Sequence, residues 1–192
     1  MQTTGKLWRS RWAAIGAAVA VTLGAGGLYS VRADSPSSAF VAIAPVRVLD
    51  TRLPGFGGPV ASAAPRNLQV TGSISTVGAD GTTVSTTAPV PAGATAIVAN
   101  VTAVFPTTAG FVSVRPGTAT GNPTTSNINF TAGGVVIPNS VTVELPTTGA
   151  TAGQVQLFFQ GLHAGATTEL LVDIVGYYQA GGAGPRGLSA WD

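Results

Sequence analysis

The chain has 192 residues, 45% of them apolar and 8% charged, against roughly 25% charged in ordinary globular proteins, and it is long enough for one domain and a leader. Its formal net charge of +2 comes from the N-terminus: Lys6, Arg9, Arg11 and Arg32 precede residue 34, and the five remaining arginines face all seven acidic residues, which leaves residues 34–192 at −2. Five scattered arginines make no basic stripe for phosphates, so nucleic acid is not an expected partner. The absence of cysteine excludes disulfides, thiolate zinc sites, a thiol nucleophile and acylation at cysteine.

Residues 1–33 read as a signal peptide or membrane anchor. Lys6, Arg9 and Arg11 form a basic n-region, and residues 12–28 run without a charge. Val31-Arg32-Ala33 places tolerated residues before a cut at Asp34, with a second cut after Ser37-Ser38-Ala39. If the leader is retained, residues 12–28 are its membrane contact as one N-terminal hydrophobic helix, at the short edge of what spans about 30 Å of hydrocarbon. Either outcome places the rest of the chain outside the cell, by general secretion, since Arg9-Ser10-Arg11 is no twin-arginine pair. Residues 34–39 (Asp-Ser-Pro-Ser-Ser-Ala) read as a linker.

From Phe40 to Tyr178 the chain holds no lysine, two glutamates and an excess of Val, Thr, Gly and Pro, which favours strands over helices. Val141, Val143 and Leu145 alternate with Ser140, Thr142 and Glu144, and Val155, Leu157 and Phe159 with Gln154, Gln156 and Gln160; both have the period of a half-buried strand. Phe158 spoils the polar face of the second. Residues 94–105 and 170–178 are apolar on both faces and read as central strands. Turn signals separate these runs, among them Pro54-Gly55, Asp80-Gly81, Pro91-Ala92-Gly93 and Gly121-Asn122-Pro123. The expected fold is all-β: a two-sheet antiparallel, jelly-roll-like β-sandwich of eight to ten strands over residues 40–178, with a closed barrel as the alternative.

Leu145-Pro146-Thr147-Thr148-Gly149 matches the pentapeptide that sortases cleave, but no hydrophobic span and basic tail follow it. It ends a strand, where Pro-Thr-Thr-Gly makes a natural turn. Residues 179–192 read as a flexible Gly-rich tail; Gly181, Gly184 and Gly187 recur at the collagen spacing, too few for a triple helix alone. His163 is the only histidine, with no partner pattern and no nucleophile elbow around a serine, so no catalytic residue is assigned and an enzyme is not expected. A hydrolase with a site assembled in space is the least favoured reading. No cofactor or metal is expected: a calcium site drawing on Asp50 and Asp173 has too few acidic neighbours.

The polar residues that stand out sit in or beside apolar β segments: Asp50, Arg52, Asn100, Asn127, Asn129, Asn139 and Asp173. A carboxylate inside the 170–178 run needs a partner, and Arg47 or Arg52 is the economical one. Asp173 with one of these arginines is therefore expected to be a structural ion pair. Alternatively, Asn100, Asn127 and Asn129 line a saccharide groove, whose aromatic platform would come from Phe56, Phe105, Phe111, Phe130, Tyr177 or Tyr178.

The same stretches carry a resemblance. Residues 44–52 (Ala-Pro-Val-Arg-Val-Leu-Asp-Thr-Arg), residues 90–102 (Val-Pro-Ala-Gly-Ala-Thr-Ala-Ile-Val-Ala-Asn-Val-Thr), Gly110-Phe111-Val112-Ser113-Val114, Thr125-Ser126-Asn127-Ile128-Asn129-Phe130, Asn139-Ser140-Val141 and Asp173-Ile174-Val175-Gly176-Tyr177-Tyr178 occur in the order of a recurring β-sandwich module. That module is found in secreted proteins of actinobacteria and other soil bacteria, often in tandem or beside hydrolase domains, and many of its members hold cysteines that this chain lacks. The resemblance covers about residues 40–178 and implies an extracellular accessory domain with no known catalytic role and no agreed ligand. The expected function is attachment or cell-envelope structure, with a carbohydrate-binding module for wall or environmental polysaccharide as the alternative.

Overall fold

The computed structural model describes residues 38–181. The leader at 1–33 with its expected helix, linker residues 34–37 and the tail from 182 onward lie outside the described residues. The described chain is all-β, with eleven strands and no helix. In chain order these are β1 (Ser38–Asp50), β2 (Val60–Ala61), β3 (Arg66–Gln69), β4 (Ile74–Val77), β5 (Val84–Thr87) and β6 (Ala94–Val104), followed by β7 (Gly110–Pro116), β8 (Ile128–Phe130), β9 (Val136–Glu144), β10 (Gln154–Gly161) and β11 (Thr167–Ala180). β1 thus begins inside the segment read as linker, and β11 runs past residue 178 to Ala180.

The strands form two antiparallel sheets, one of seven strands in the order β5-β4-β1-β11-β6-β9 with β2 pairing β11, and one of four in the order β3-β10-β7-β8. The edge strands β5, β9, β3 and β8 leave both sheets open, which distinguishes the arrangement from the closed barrel. The two doubly apolar stretches become β6 and β11, each flanked on both sides within the large sheet. A strand paired along both edges and covered on one face hides most of its surface, which is why these two read as nearly continuous apolar runs.

Alternation assigns the faces. On β6, Ile97, Ala99, Val101 and Ala103 are buried, while Ala96, Val98, Asn100 and Thr102 face outward. On β11, Leu170, Val172 and Ile174 point inward until a register shift between Ile174 and Gly176 reverses the phase. The small sheet answers with Val112, Val155, Leu157 and Phe159, and these side chains form one core with those of the large sheet. Phe130 and Phe159 stack within it at 6.1 Å between ring centroids. Each such side chain contributes about 1.5–3 kcal/mol by leaving water.

The stretch at 140–145 alternates as its pattern predicts: Val141, Val143 and Leu145 are buried, and Thr142 and Glu144 are exposed. The Leu-Pro-Thr-Thr-Gly pentapeptide follows directly as a turn. Leu145 N–H donates to Thr95 O at 2.8 Å, Gly153 N–H donates to Pro146 O at 2.7 Å, and Gly149 takes a left-handed φ of 81°. At Gly153 a side chain is barred outright, because a Cβ there would lie 1.8 Å from Thr71 Oγ1.

Candidate functional site

The polar residues of the Arg47–Arg52 stretch gather where the end of β1 lies beside the start of β11. Arg47 stands opposite Asp173 in the strand register, and Asp173 opposite Asn100. Facing residues of antiparallel neighbours project to the same side, so all three share the outer face of the large sheet. Arg47 forks onto Asp173, with Nε donating to Oδ1 at 2.7 Å and Nη2 to Oδ2 at 3.0 Å. This bidentate geometry holds the guanidinium charged, and the hydrogen bond to Asp173 is the chief reason its pKa lies above the ordinary arginine value.

Of the two arginines considered for Asp173, Arg47 takes it, and Arg52 turns back onto Asp50. Arg52 donates from Nε to Asp50 Oδ1 at 2.9 Å, from Nη2 to Oδ2 at 2.7 Å and from its backbone N–H to Oδ1 at 3.2 Å. Arg47 Nη1 adds a contact to Asp50 Oδ2 at 3.4 Å. The burial differs from the sequence expectation as well. The Asp173 side chain keeps 22% of its surface and Arg47 30%, whereas Asp50 keeps 1%. The buried carboxylate of the clasp is therefore Asp50, and the hydrogen bonds from Arg52 depress its pKa below the usual aspartate range. The Asp50 carboxylate in turn raises that of Arg52.

Thr51, between them, ties the same corner to β11. Its hydroxyl donates to Glu169 and accepts from Leu170 N–H at 2.8 Å, while its own N–H donates to Leu170 O at 3.1 Å. Two arginines and three carboxylates thus share one corner, with Asp50 at its centre.

A second polar group lies on the outer face of the small sheet and is mostly neutral. Arg115, Gln156 and Asn67 stand in one row across β7, β10 and β3. Arg115 Nε donates to Gln156 Oε1 at 2.9 Å, and Gln156 Nε2 donates to Asn67 Oδ1 and Ala119 O, both at 3.1 Å. The 117–127 connection is drawn over this face, because Arg115 Nη2 also donates to Gly121 O at 2.6 Å and Asn67 Nδ2 to Gly117 O at 3.2 Å. Beneath the guanidinium, 5.3 Å from its ring centre, lies Phe158 with 2% exposure. The residue that broke the polar alternation of β10 is thus covered from outside by a cation–π contact.

The three asparagines proposed for a saccharide groove do not meet. Asn100 projects from the outer face of the large sheet, and Asn129, exposed between buried Ile128 and Phe130, from the opposite outer face. Asn127 is committed to the backbone: its Oδ1 accepts from Val114 N–H at 2.7 Å, extending the pairing of β7 toward β8. Its carbonyl accepts from Asn139 Nδ2 at 2.6 Å, which links edge strand β9 to the small sheet. Of the aromatics weighed as a platform, Phe130 lies in the core, and Phe56 and Tyr177 pack against it. Phe105 is 61% exposed at the end of β6. His163 is exposed in the turn between β10 and β11, and among the described residues its side chain makes no hydrogen bond. Among the described residues no three His, Asp or Glu groups come together as metal ligands, and both carboxylates weighed for calcium are occupied by arginine.

Several contributors carry no local signal in the sequence. Arg66 donates to four successive backbone carbonyls, those of Phe56, Gly57, Gly58 and Pro59, and so organises the loop before β2. Glu169 and Gln156 look like ordinary outward strand residues until the register places them. Phe40 is half exposed and packs on Tyr178 at 5.3 Å between centroids. A Cβ on Gly176, in the middle of β11, would come 2.4 Å from Phe40 Cε2, so that glycine makes room for the ring.

No protein-family model, curated protein or solved structure matches the chain.

Proposed function

We propose that the chain is a non-enzymatic, exported β-sandwich module with a role in attachment or cell-envelope structure. The observation that carries this reading is how the standout polar residues are used. Arg47, Asp173 and Asn127 are spent on joining strands and Asp50 and Arg52 on fastening the turn after β1, with their charges and amides turned to one another or to the backbone. Such a domain keeps its shape without disulfides, which suits a display module outside the cell. The charge asymmetry of residues 1–33 and the ordered motifs shared with the secreted module support the export part of the reading, with the leader as the N-terminal hydrophobic helix. We assign the sandwich to the jelly-roll-like class and the chain to that module on the same motifs.

A carbohydrate-binding role is the second reading, favoured by the exposed Phe40–Tyr178 pair. The test of the leading reading is localisation. The full chain, expressed in a Gram-positive host, is expected in the medium or on intact cells within reach of added protease. Retention in the cytosol with residues 1–33 intact overturns it.

A further inference from the structure

One end of the large sheet carries an exposed aromatic pair beside a cleft. There β1 begins, β6 begins, and β9 and β11 end, so Phe40, Tyr178, Ala96 and Glu144 stand side by side in one row across four strands. The row is graded. At one side Phe40 and Tyr178 present an aromatic pair, in the middle Ala96 and Val98 make a low floor, and at the other side Glu144 raises a carboxylate on the edge strand. With about 4.8 Å between neighbouring strands, the row is ~14 Å from Phe40 to Glu144.

Beyond Glu144 the row opens into a cleft of about 510 Å³ lined by Thr95, Pro116, Thr118, Glu144, Pro146 and Thr147, with Leu145 at its base. That volume lies within the usual range for ligand clefts. Thr95 links cleft and platform: its hydroxyl donates to Tyr178 O at 3.3 Å and lies 3.3 Å from Ser38 Oγ. Gly176 lies under the phenyl ring and also under the Val41 carbonyl, 2.9 Å from where a Cβ would stand, so a glycine there accommodates both β1 backbone and ring.

We propose that this end of the large sheet, from Phe40 and Tyr178 across to the Glu144 cleft, binds a short stretch of neutral polysaccharide. An aromatic face takes the apolar C–H side of a sugar ring, while hydroxyls and a carboxylate accept and donate to its rim. Threonine hydroxyls line the cleft, and Glu144 is the one ionised group among its lining residues. Among the described residues lining the cleft no cation stands beside that carboxylate to meet a polyanion, so charge favours an uncharged polymer. The aromatic row lies on the outer face of the large sheet, away from Asn129, and the cleft at the end of the sandwich is completed by Pro116 and Thr118 from the small sheet. The site adds a ligand class to the attachment reading on which it rests.

The test is titration of the full chain with uncharged glucose and N-acetylglucosamine oligomers by calorimetry, with a polyuronate and lipid vesicles as controls. Saturable binding of a neutral oligomer is expected, weakened about tenfold by Phe40→Ala and by Tyr178→Ala. Glu144→Gln should weaken it less, and Asn129→Ala should leave it unchanged. Phe40→Leu, which keeps apolar bulk and loses the ring face, guards against a folding defect. No binding of any neutral oligomer overturns the proposal, and so does equal binding by folded Phe40→Ala. Polyuronate or vesicle binding in its place, or self-association that consumes Phe40, overturns it as well. Failure here with the chain displayed on cells leaves the attachment reading standing. Cytosolic retention with glycan binding intact does the reverse.

Discussion

The two outer faces of the sandwich are held by different chemistry. On the large sheet, Arg47, Asp50, Thr51, Arg52, Glu169 and Asp173 form a charged corner whose arginines reach solvent and whose central carboxylate does not. On the small sheet, Gln156, Asn67 and the carbonyls of the 117–127 connection make a network with one charge, Arg115, laid over a buried ring. Both devices fasten a loop to a strand. The first relies on ionisation and so depends on pH; the second relies on amides and dispersion and does not. The comparison shows why a domain so poor in charge can place two arginines on one aspartate: Asp50 alone bears a large desolvation cost, and both partners stay near water.

The largest effect is expected on the neutral side. Phe158→Ala empties a site with 2% exposure and should cost about 3–5 kcal/mol in denaturant unfolding. Next comes Arg52→Ala, at about 3 kcal/mol, the lower end of the cost of breaking a buried pair, because Arg47 Nη1 still stands 3.4 Å from Asp50. Gln156→Ala leaves Asn67 Oδ1 and Ala119 O without their donor and should cost about 1–3 kcal/mol. Arg47→Ala removes a pair with Asp173 whose members are both partly exposed, together with the longer 3.4 Å contact to Asp50, and solvent screening reduces its effect to about 1 kcal/mol. Equal melting temperatures for wild type, Arg47→Ala and Arg52→Ala would remove the clasp from the account.

Acid separates the two faces further. The folded pKa of Asp50 lies below its unfolded value, so its ionisation stabilises the fold above the unfolded aspartate range, near pH 3.9. That contribution disappears as pH falls through the folded value. The gap between wild type and Arg52→Ala should therefore shrink in acid, while the gap for Gln156→Ala stays constant. The smallest effect is local. Asp80, in the exposed turn between β4 and β5, accepts from the Thr83 hydroxyl and from Thr82 and Thr83 N–H at 3.0 and 2.9 Å, and these hydrogen bonds lower its pKa to about 2. NMR titration of Thr83→Val should bring it back toward the ordinary value, with Asp50 unmoved.

Much of the fold is legible in the residues themselves. Period-two alternation at 140–145 names the buried side chains of β9, and doubly apolar runs name the central strands, since those patterns follow from one strand's own geometry. On β10 the alternation finds Val155, Leu157 and Phe159 but not Gln156 and Phe158, which the 117–127 connection buries from the other face. The site is less legible. An acidic residue in an apolar strand announces a need for a partner; it does not say which arginine supplies it. The answer depends on register: Arg47 faces Asp173 across β1 and β11, and Arg52 lies beyond the strand end, where it turns back onto Asp50. Register also separates Asn100 from Asn129 by the thickness of the sandwich, and it sets Phe40 beside Tyr178 and over Gly176. By itself the sequence determined that this chain would form β-strands and which of their faces would be dry, because alternation and propensity are local. Only the tertiary structure decided which polar groups meet, because pairing joins residues more than a hundred positions apart and a shift of one residue would send each of them to the other face.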